Sequence, residues 1–321
     1  MRCADWGERS VRWAGVRSET VEVRGTSVHC LAADPPTALD AAPVHLFVPN
    51  PAGSATNWLD VMAEMPRSGQ LVAVDLPGTI AGHTASPSHR AANVEASARF
   101  LRAFTEALGL EQVVVHGWSA GAMIALLYAD LAPEQVAGVV LVSPALAPSL
   151  GGGEARLWRT VGRAGLAIAP PVSRVMLRVF GRRLLDQKVQ FLADPATIAS
   201  SRWNTGGDLT RMSPEITDLM RLEMAAVEPK QMASWVTVMT SLMSLMFVRR
   251  ERVFEAMGRV AAPTLLLWGD DDGLIGRDWI DDWSARRPDW TLTVLGEVGH
   301  APPWEAPADY AHAVDDWMGA T

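Results

Sequence analysis

The sequence predicts an α/β fold, with a mostly parallel central sheet, helices on both faces and a helical cap inserted late in the chain. Three observations predict it. Apolar runs of strand length recur at 44–48, 71–74, 113–115, 139–142, 264–268 and 292–295, as strands buried on both faces require. Helix-period stretches at 91–108 and 119–131 separate several of these runs, and strands alternating with helices build a parallel sheet through crossover connections. Between Ser143-Pro144 and Pro263 the alternation stops and the chain reads helical almost throughout.

In chain order, residues 1–17 are an N-terminal extension, loose or packed. Glu19 to Arg24 and Ser27 to Leu31 alternate around Gly25-Thr26 like a hairpin of edge strands. The run Val44-His45-Leu46-Phe47-Val48 enters the loop Pro49-Asn50-Pro51-Ala52-Gly53, and the run ending at Val74 enters the turn Asp75-Leu76-Pro77-Gly78. The domain boundaries that follow are a core of 1–147 and 260–321 and a helical cap of 148–259. Within the cap, Gly151-Gly152-Gly153 reads as a flexible entry and Ala169-Pro170-Pro171 as a break between helices. A Met-rich run from Met232 to Met246 reads as core packing or as an adaptable lining for an apolar substrate, with Met239 and Met243 as candidates for the pocket.

The chemistry concentrates where Val113 to Val115 ends in Gly117-Trp118-Ser119-Ala120-Gly121 and passes directly into Ala122-Met123-Ile124. Gly-x-Ser-x-Gly between a strand and a helix is a nucleophile elbow, whose sharp turn lifts a serine hydroxyl above the sheet while the glycines admit close backbone approach. An acid and then a histidine are expected downstream. The strand-like Pro263 to Trp268 is followed by Gly269-Asp270-Asp271-Asp272-Gly273, any one of whose carboxylates is placed to orient a base. His300 stands in the loop after the last strand, before a proline-started helix, and that position selects it over His29, His45, His83, His89, His116 and His312.

On these residues the chain resembles the alpha/beta-hydrolase fold superfamily, in its capped branch of esterases, lactonases, carbon-carbon bond hydrolases and perhydrolases, over about residues 18–147 and 260–319. The resemblance implies a Ser119, His300, Asp272 triad, because the family's acid lies three residues past the glycine that ends the strand; Asp270 is the reserve. Serine as nucleophile argues against the related epoxide hydrolases and haloalkane dehalogenases. It also implies an oxyanion hole with the Ala120 backbone N–H as one donor. The family's His-Gly pair is replaced by Pro49-Asn50, and Pro51, which has no N–H, stands at the second donor's place. That leaves the Asn50 side chain or the Ala52 N–H. Trp118 and Pro51 are further pocket candidates. The family's Gly-x-Gly-x-Ser continuation is replaced by Thr79 to Thr84, so the loop there is reshaped.

The reaction implied is hydrolysis of an ester, lactone or thioester of an apolar small molecule, with no metal and no organic cofactor. Two alternatives stand beside it: a carbon-carbon bond hydrolase or biosynthetic cyclase or lyase on the same triad, and a ligand-binding protein with a vestigial triad, motivated by Pro51.

With 49% hydrophobic content, the 321 residues suffice for one large domain with a lid and exclude general disorder. Residues 149–260 carry 16 Lys plus Arg against 10 Asp plus Glu, and the rest 12 against 26, so a segment near +6 sits on a body near −14. Arg156, Arg159, Arg163, Arg174, Arg178, Arg182 and Arg183 interleave with apolar residues. Such a face suits a solvated helix, an acidic carrier protein or an anionic surface. Nucleic-acid binding is not expected. The start has no apolar signal region, no run is long enough to span a bilayer, and Cys3 and Cys30 lack metal-like spacing, so the expected location is the cytoplasm.

Overall fold

The computed structural model describes residues 2–35, 43–50, 53–65, 69–84, 92–194, 197–198 and 206–320. Strands β1 (Arg17–Val23) and β2 (Thr26–Ala33) form the expected hairpin, turning at Gly25 with φ +78°. They are followed by β3 (Val44–Val48), β4 (Leu71–Val74), β5 (Val113–Trp118), β6 (Val136–Val142), β7 (Thr264–Gly269) and β8 (Thr291–Leu295). All eight make one sheet in the order β1-β2-β4-β3-β5-β6-β7-β8, antiparallel where β2 meets β1 and β4, and parallel from β4 to β8.

The two-residue period of the strands divides the core. Leu46, Val48, Val113, Val115, Val139 and Leu141 face one layer, and Phe47, Val114, Val140, Val142, Leu265 and Leu267 the other. The first layer is closed by α2 (Val94–Leu108) and α3 (Ala120–Leu131). The second is closed by α1 (Leu59–Glu64), by the last helix of the chain, and by the N-terminal extension. The extension is packed, not loose. Trp6 and Trp13 are fully buried, and Trp13 Nε1 donates to Asp60 at 2.8 Å.

The segment between β6 and β7 comprises α4 (Gly152–Leu157), a π turn (Trp158–Gly162), α5 (Arg163–Ala193), α6 (Pro214–Ala226), α7 (Met232–Met243), a second π turn (Ser244–Val248) and α8 (Arg250–Arg259). The two π turns meet, with the Trp158 ring stacked on Phe247 at 4.5 Å. Helix α8 packs on α3, where Arg252 and Arg259 both donate to Asp130. Two expectations are corrected. Gly152 and Gly153 already form the first turn of α4, an exposed turn that needs no side-chain packing. Pro170 and Pro171 lie inside α5, which does not break there. The carbonyls that lose a donor belong to Leu166 and Ala167, half-buried and exposed residues at the surface of the helix rather than in the core.

After β7 come α9 (Arg277–Arg286), α10 (Pro302–Glu305) and α11 (Pro307–Ala320).

Candidate active site

Ser119 is the single residue between β5 and α3, with φ 56° and ψ −118°. A residue with a Cβ pays roughly 1–3 kcal/mol for such a conformation, and persists there only when its surroundings hold it. Here they do. The Ser119 N–H donates to Val142 O at 2.9 Å, and its carbonyl accepts from Ala122 and Ala145 N–H, both at 3.0 Å. A Cβ on Gly117 would lie 2.4 Å from Gly121 O, and one on Gly121 would lie 2.6 Å from Val48 O, so the elbow closes only with glycine at both places.

The histidine arrives from the loop between β8 and α10. His300 Nε2 lies 3.0 Å from Ser119 Oγ, and Nδ1 lies 2.9 and 3.1 Å from the two Asp272 oxygens. With Asp272 ionised, Nδ1–H donates to it and Nε2 is left to accept the serine proton. The Asp272 side chain is fully buried, and its Oδ1 also accepts from the Leu274 and Ile275 N–H groups at 2.8 and 2.9 Å. Asp270, the reserve acid, points elsewhere and accepts from Glu297 N–H at 2.7 Å.

The other described histidines lie apart from this group. His45 and His116 are buried on β3 and β5, bonded to each other at 2.8 Å and, through His116, to Tyr310 at 2.6 Å. Burial, then the neighbouring His45, hold the His116 pKa well below the usual histidine value. His29, Asp75 and His83 bring their ligand atoms within 4.8 Å of one another. His29 Nδ1 is 2.7 Å from Asp75 Oδ2, and the Ala55 and His83 N–H groups also donate to Asp75. These are hydrogen-bond separations, so the cluster is a knot that ties the reshaped loop after β4 to β2. His312 is exposed on α11, and His89 is outside the described residues.

Above Ser119 lies a cavity of about 810 Å³, walled by Trp118, Met239, Met243, Met246, Phe247 and Trp279 among others. Asn50, Ala120 and His300 also line it, so the described pocket candidates and two oxyanion candidates share one space. Pro51 and Ala52 lie outside the described residues. Ala120 occupies the first position of α3, where a helix leaves its N–H groups free of intrahelical acceptors.

Three functional candidates escaped the sequence reading. Glu305 is buried and collects the N–H groups of Gly299 at 2.8 Å, Ala301 at 2.9 Å and Asp208 at 3.0 Å. It therefore clamps the residues on both sides of His300 to the inserted segment. Asn57 accepts from Ser54 N–H through Oδ1, and its buried Nδ2 has no partner among the described residues, on a side chain that lines the cavity. Glu223, on α6, accepts from Ser54 Oγ at 3.2 Å and Thr56 Oγ1 at 3.0 Å at the cavity wall. Burial, with the Asp75 charge second, pushes its carboxyl up to about 7. No local pattern marks these residues; the one available signal was Glu305 directly after a Pro-Pro-Trp helix start.

The model described as "Alpha/beta hydrolase family" matches residues 44–313 of this chain. A curated relative, the dihydrolipoyllysine-residue acetyltransferase component of the acetoin cleaving system of Cupriavidus necator, is 24% identical over 277 residues, 85% of this chain and 63% of that protein. The chain thus spans about three fifths of the length of the curated relatives it matches. Among solved structures, a membrane phospholipase A described as a novel bacterial virulence factor superposes with TM-score 0.66 at 22% identity, covering 98% of this chain and 90% of that one. Cfl2 of Burkholderia cenocepacia gives 0.70 at 18% identity, covering 95% and 97%. At these identities the structural likeness speaks to the fold.

Proposed function

The chain belongs to the alpha/beta hydrolase family, and from that premise we propose that it is a serine hydrolase cleaving an ester, lactone or thioester of an apolar small molecule through an acyl-enzyme. The observation that carries this is the continuous relay of Ser119 Oγ, His300 and Asp272 at 3.0 and 2.9 Å. Ser119 Oγ attacks the substrate carbonyl as its proton passes to His300 Nε2. Collapse of the tetrahedral intermediate breaks the bond to the leaving oxygen or sulfur, which takes that proton from His300. Water then repeats the sequence on the acyl-serine, releasing the acid and restoring the hydroxyl. Asp272 keeps the proton on Nδ1 and stabilises the imidazolium in each half-reaction.

The developing oxyanion is assigned to the Ala120 N–H, aided by the positive end of α3. Asn50 and Asn57, whose Nδ2 has no partner among the described residues, are the side-chain donors on the same cavity wall. A free buried amide is costly, about 1–3 kcal/mol, and a substrate oxygen would satisfy it. The methionine and aromatic walls favour an acyl chain, and the inserted helices serve as the cap over it.

The test is labelling by a fluorophosphonate, followed by intact mass, together with hydrolysis of short and medium-chain nitrophenyl esters. Wild type should label once and turn over, and Ser119→Ala should lose both, with turnover falling by several orders of magnitude. An unlabelled wild type would refute the activated serine.

A further inference from the structure

Nine of the thirteen large exposed apolar side chains among the described residues lie between 157 and 184, on α4, the π turn and α5. Within α5 they form a stripe. At 3.6 residues per turn, Ile168, Val172, Val175 and Val179 fall within about 60° of one another, with exposures of 64, 55, 57 and 67%. The buried residues of this helix, Pro170, Gly181, Leu185 and Leu192, lie on the opposite face. The stripe therefore points away from the protein. By the same wheel Arg182 borders it on one side, with Arg178 next to it, and Arg183 borders it on the other. Residues 152–193 hold seven arginines and Lys188 against Glu154 and Asp186 alone, the latter paired with Arg182 at 2.9 Å.

The same helix continues into the cavity. Leu184 is both 45% exposed and part of the cavity lining, and Leu185, Lys188 and Leu192 follow it along the wall. An apolar stripe flanked by arginines, leading to an apolar cavity above a nucleophile, matches the chemistry of one surface. We propose that this face of α5 docks on an anionic phospholipid bilayer, from which an apolar ester passes into the cavity. The stripe enters the acyl-chain boundary and the guanidinium groups meet lipid phosphates. A symmetric contact with a second copy would set arginines against arginines, which opposes that occupant. An acidic protein would answer the charge and leave the aliphatic stripe without a partner of its kind.

The docking stands apart from the catalytic reading, and only the identity of the cargo rests on it. The experiment is flotation of the full chain with phosphatidylcholine vesicles, with and without phosphatidylglycerol, at low and high salt. Wild type and Ser119→Ala should both float with phosphatidylglycerol and release as salt rises. The pair Val175→Ser with Val179→Ser should lower partition about tenfold. The pair Arg178→Gln with Arg183→Gln should lower it about twenty-five-fold, fivefold per charge. Both pairs should hydrolyse a soluble nitrophenyl ester at the wild-type rate and lose turnover of an ester embedded in anionic vesicles. Absence of flotation, or flotation indifferent to these substitutions, overturns the proposal. So does a dimer in sedimentation that the valine pair dissociates, or retention by polyglutamate without vesicle binding. Because Ser119→Ala is read by flotation alone, a failure of the hydrolase reading leaves the docking result standing.

Discussion

Ser119 is held at φ 56° by backbone bonds to β6 and the loop after it, while the loop that carries His300 is tied down on both sides by a side chain that makes no bond to its ring, Glu305. Glu305 accepts from the two buried N–H groups of Gly299 and Ala301 on either side of the histidine and from the half-buried N–H of Asp208, and these bonds go with the carboxylate. Glu305→Ala should lower kcat about a hundredfold with KM nearly unchanged, because a displacement of His300 near 1 Å misaligns the proton transfer without altering the apolar cavity. Glu305→Asp should recover part of that loss if positioning is the role. Steady-state kinetics beside thermal melting separates this from plain destabilisation, which would lower Tm and leave kcat per folded molecule intact. Asn57 invites a parallel measurement. Asn57→Ala should reduce kcat about tenfold or more if its amide meets the oxyanion, since loss of one donor weakens the transition state selectively.

At the scale of elements, the N-terminal extension is the clearest case of sequence pattern failing to reveal weight. Its two short 3-10 turns carry no helical or strand period, yet they place Trp6 and Trp13 edge to face at 6.1 Å beneath α1. Trp13→Ala should cost about 3–5 kcal/mol, measured by urea denaturation, since it empties a fully enclosed site and removes the indole donor to Asp60 Oδ1, leaving Ser213 Oγ on Oδ2. Helix α5 fails in the other direction. Its Pro-Pro pair reads as a break, yet the helix continues through it, where the residues that lose a donor, Leu166 and Ala167, are half-buried and exposed. Strands were the most legible elements: all six apolar runs became strands, β3 to β7 because a chain buried on both faces must be apolar at nearly every position, while β8 lies half-exposed at the sheet edge.

Over the whole molecule, the buried cluster between the sheet and the inserted helices sets a pH dependence. Glu223 is raised from 4.5 to about 7. Its contribution to stability is thus fully present below about pH 4.5 and is lost as pH rises through about 7, where the buried carboxyl must ionise. The loss is on the order of 3 kcal/mol. Glu223→Gln should abolish that decline, so urea midpoints of wild type and variant should converge at low pH and separate between pH 5 and 8. Parallel curves would place the ionisation elsewhere.

By itself the sequence determined the sheet, the elbow and the pair Ser119 and His300, because strand burial, helix period and the glycines of a tight turn are local demands written in consecutive residues. From Asp270, Asp271 and Asp272 the residues alone did not choose; resemblance favoured Asp272, and geometry brought it to His300 across 28 positions, as it brought His300 to Ser119 across 181. The cavity, the Glu305 clamp, the raised Glu223 and the outward stripe of α5 were decided by tertiary structure alone, since each depends on which distant surfaces meet and which are left facing solvent.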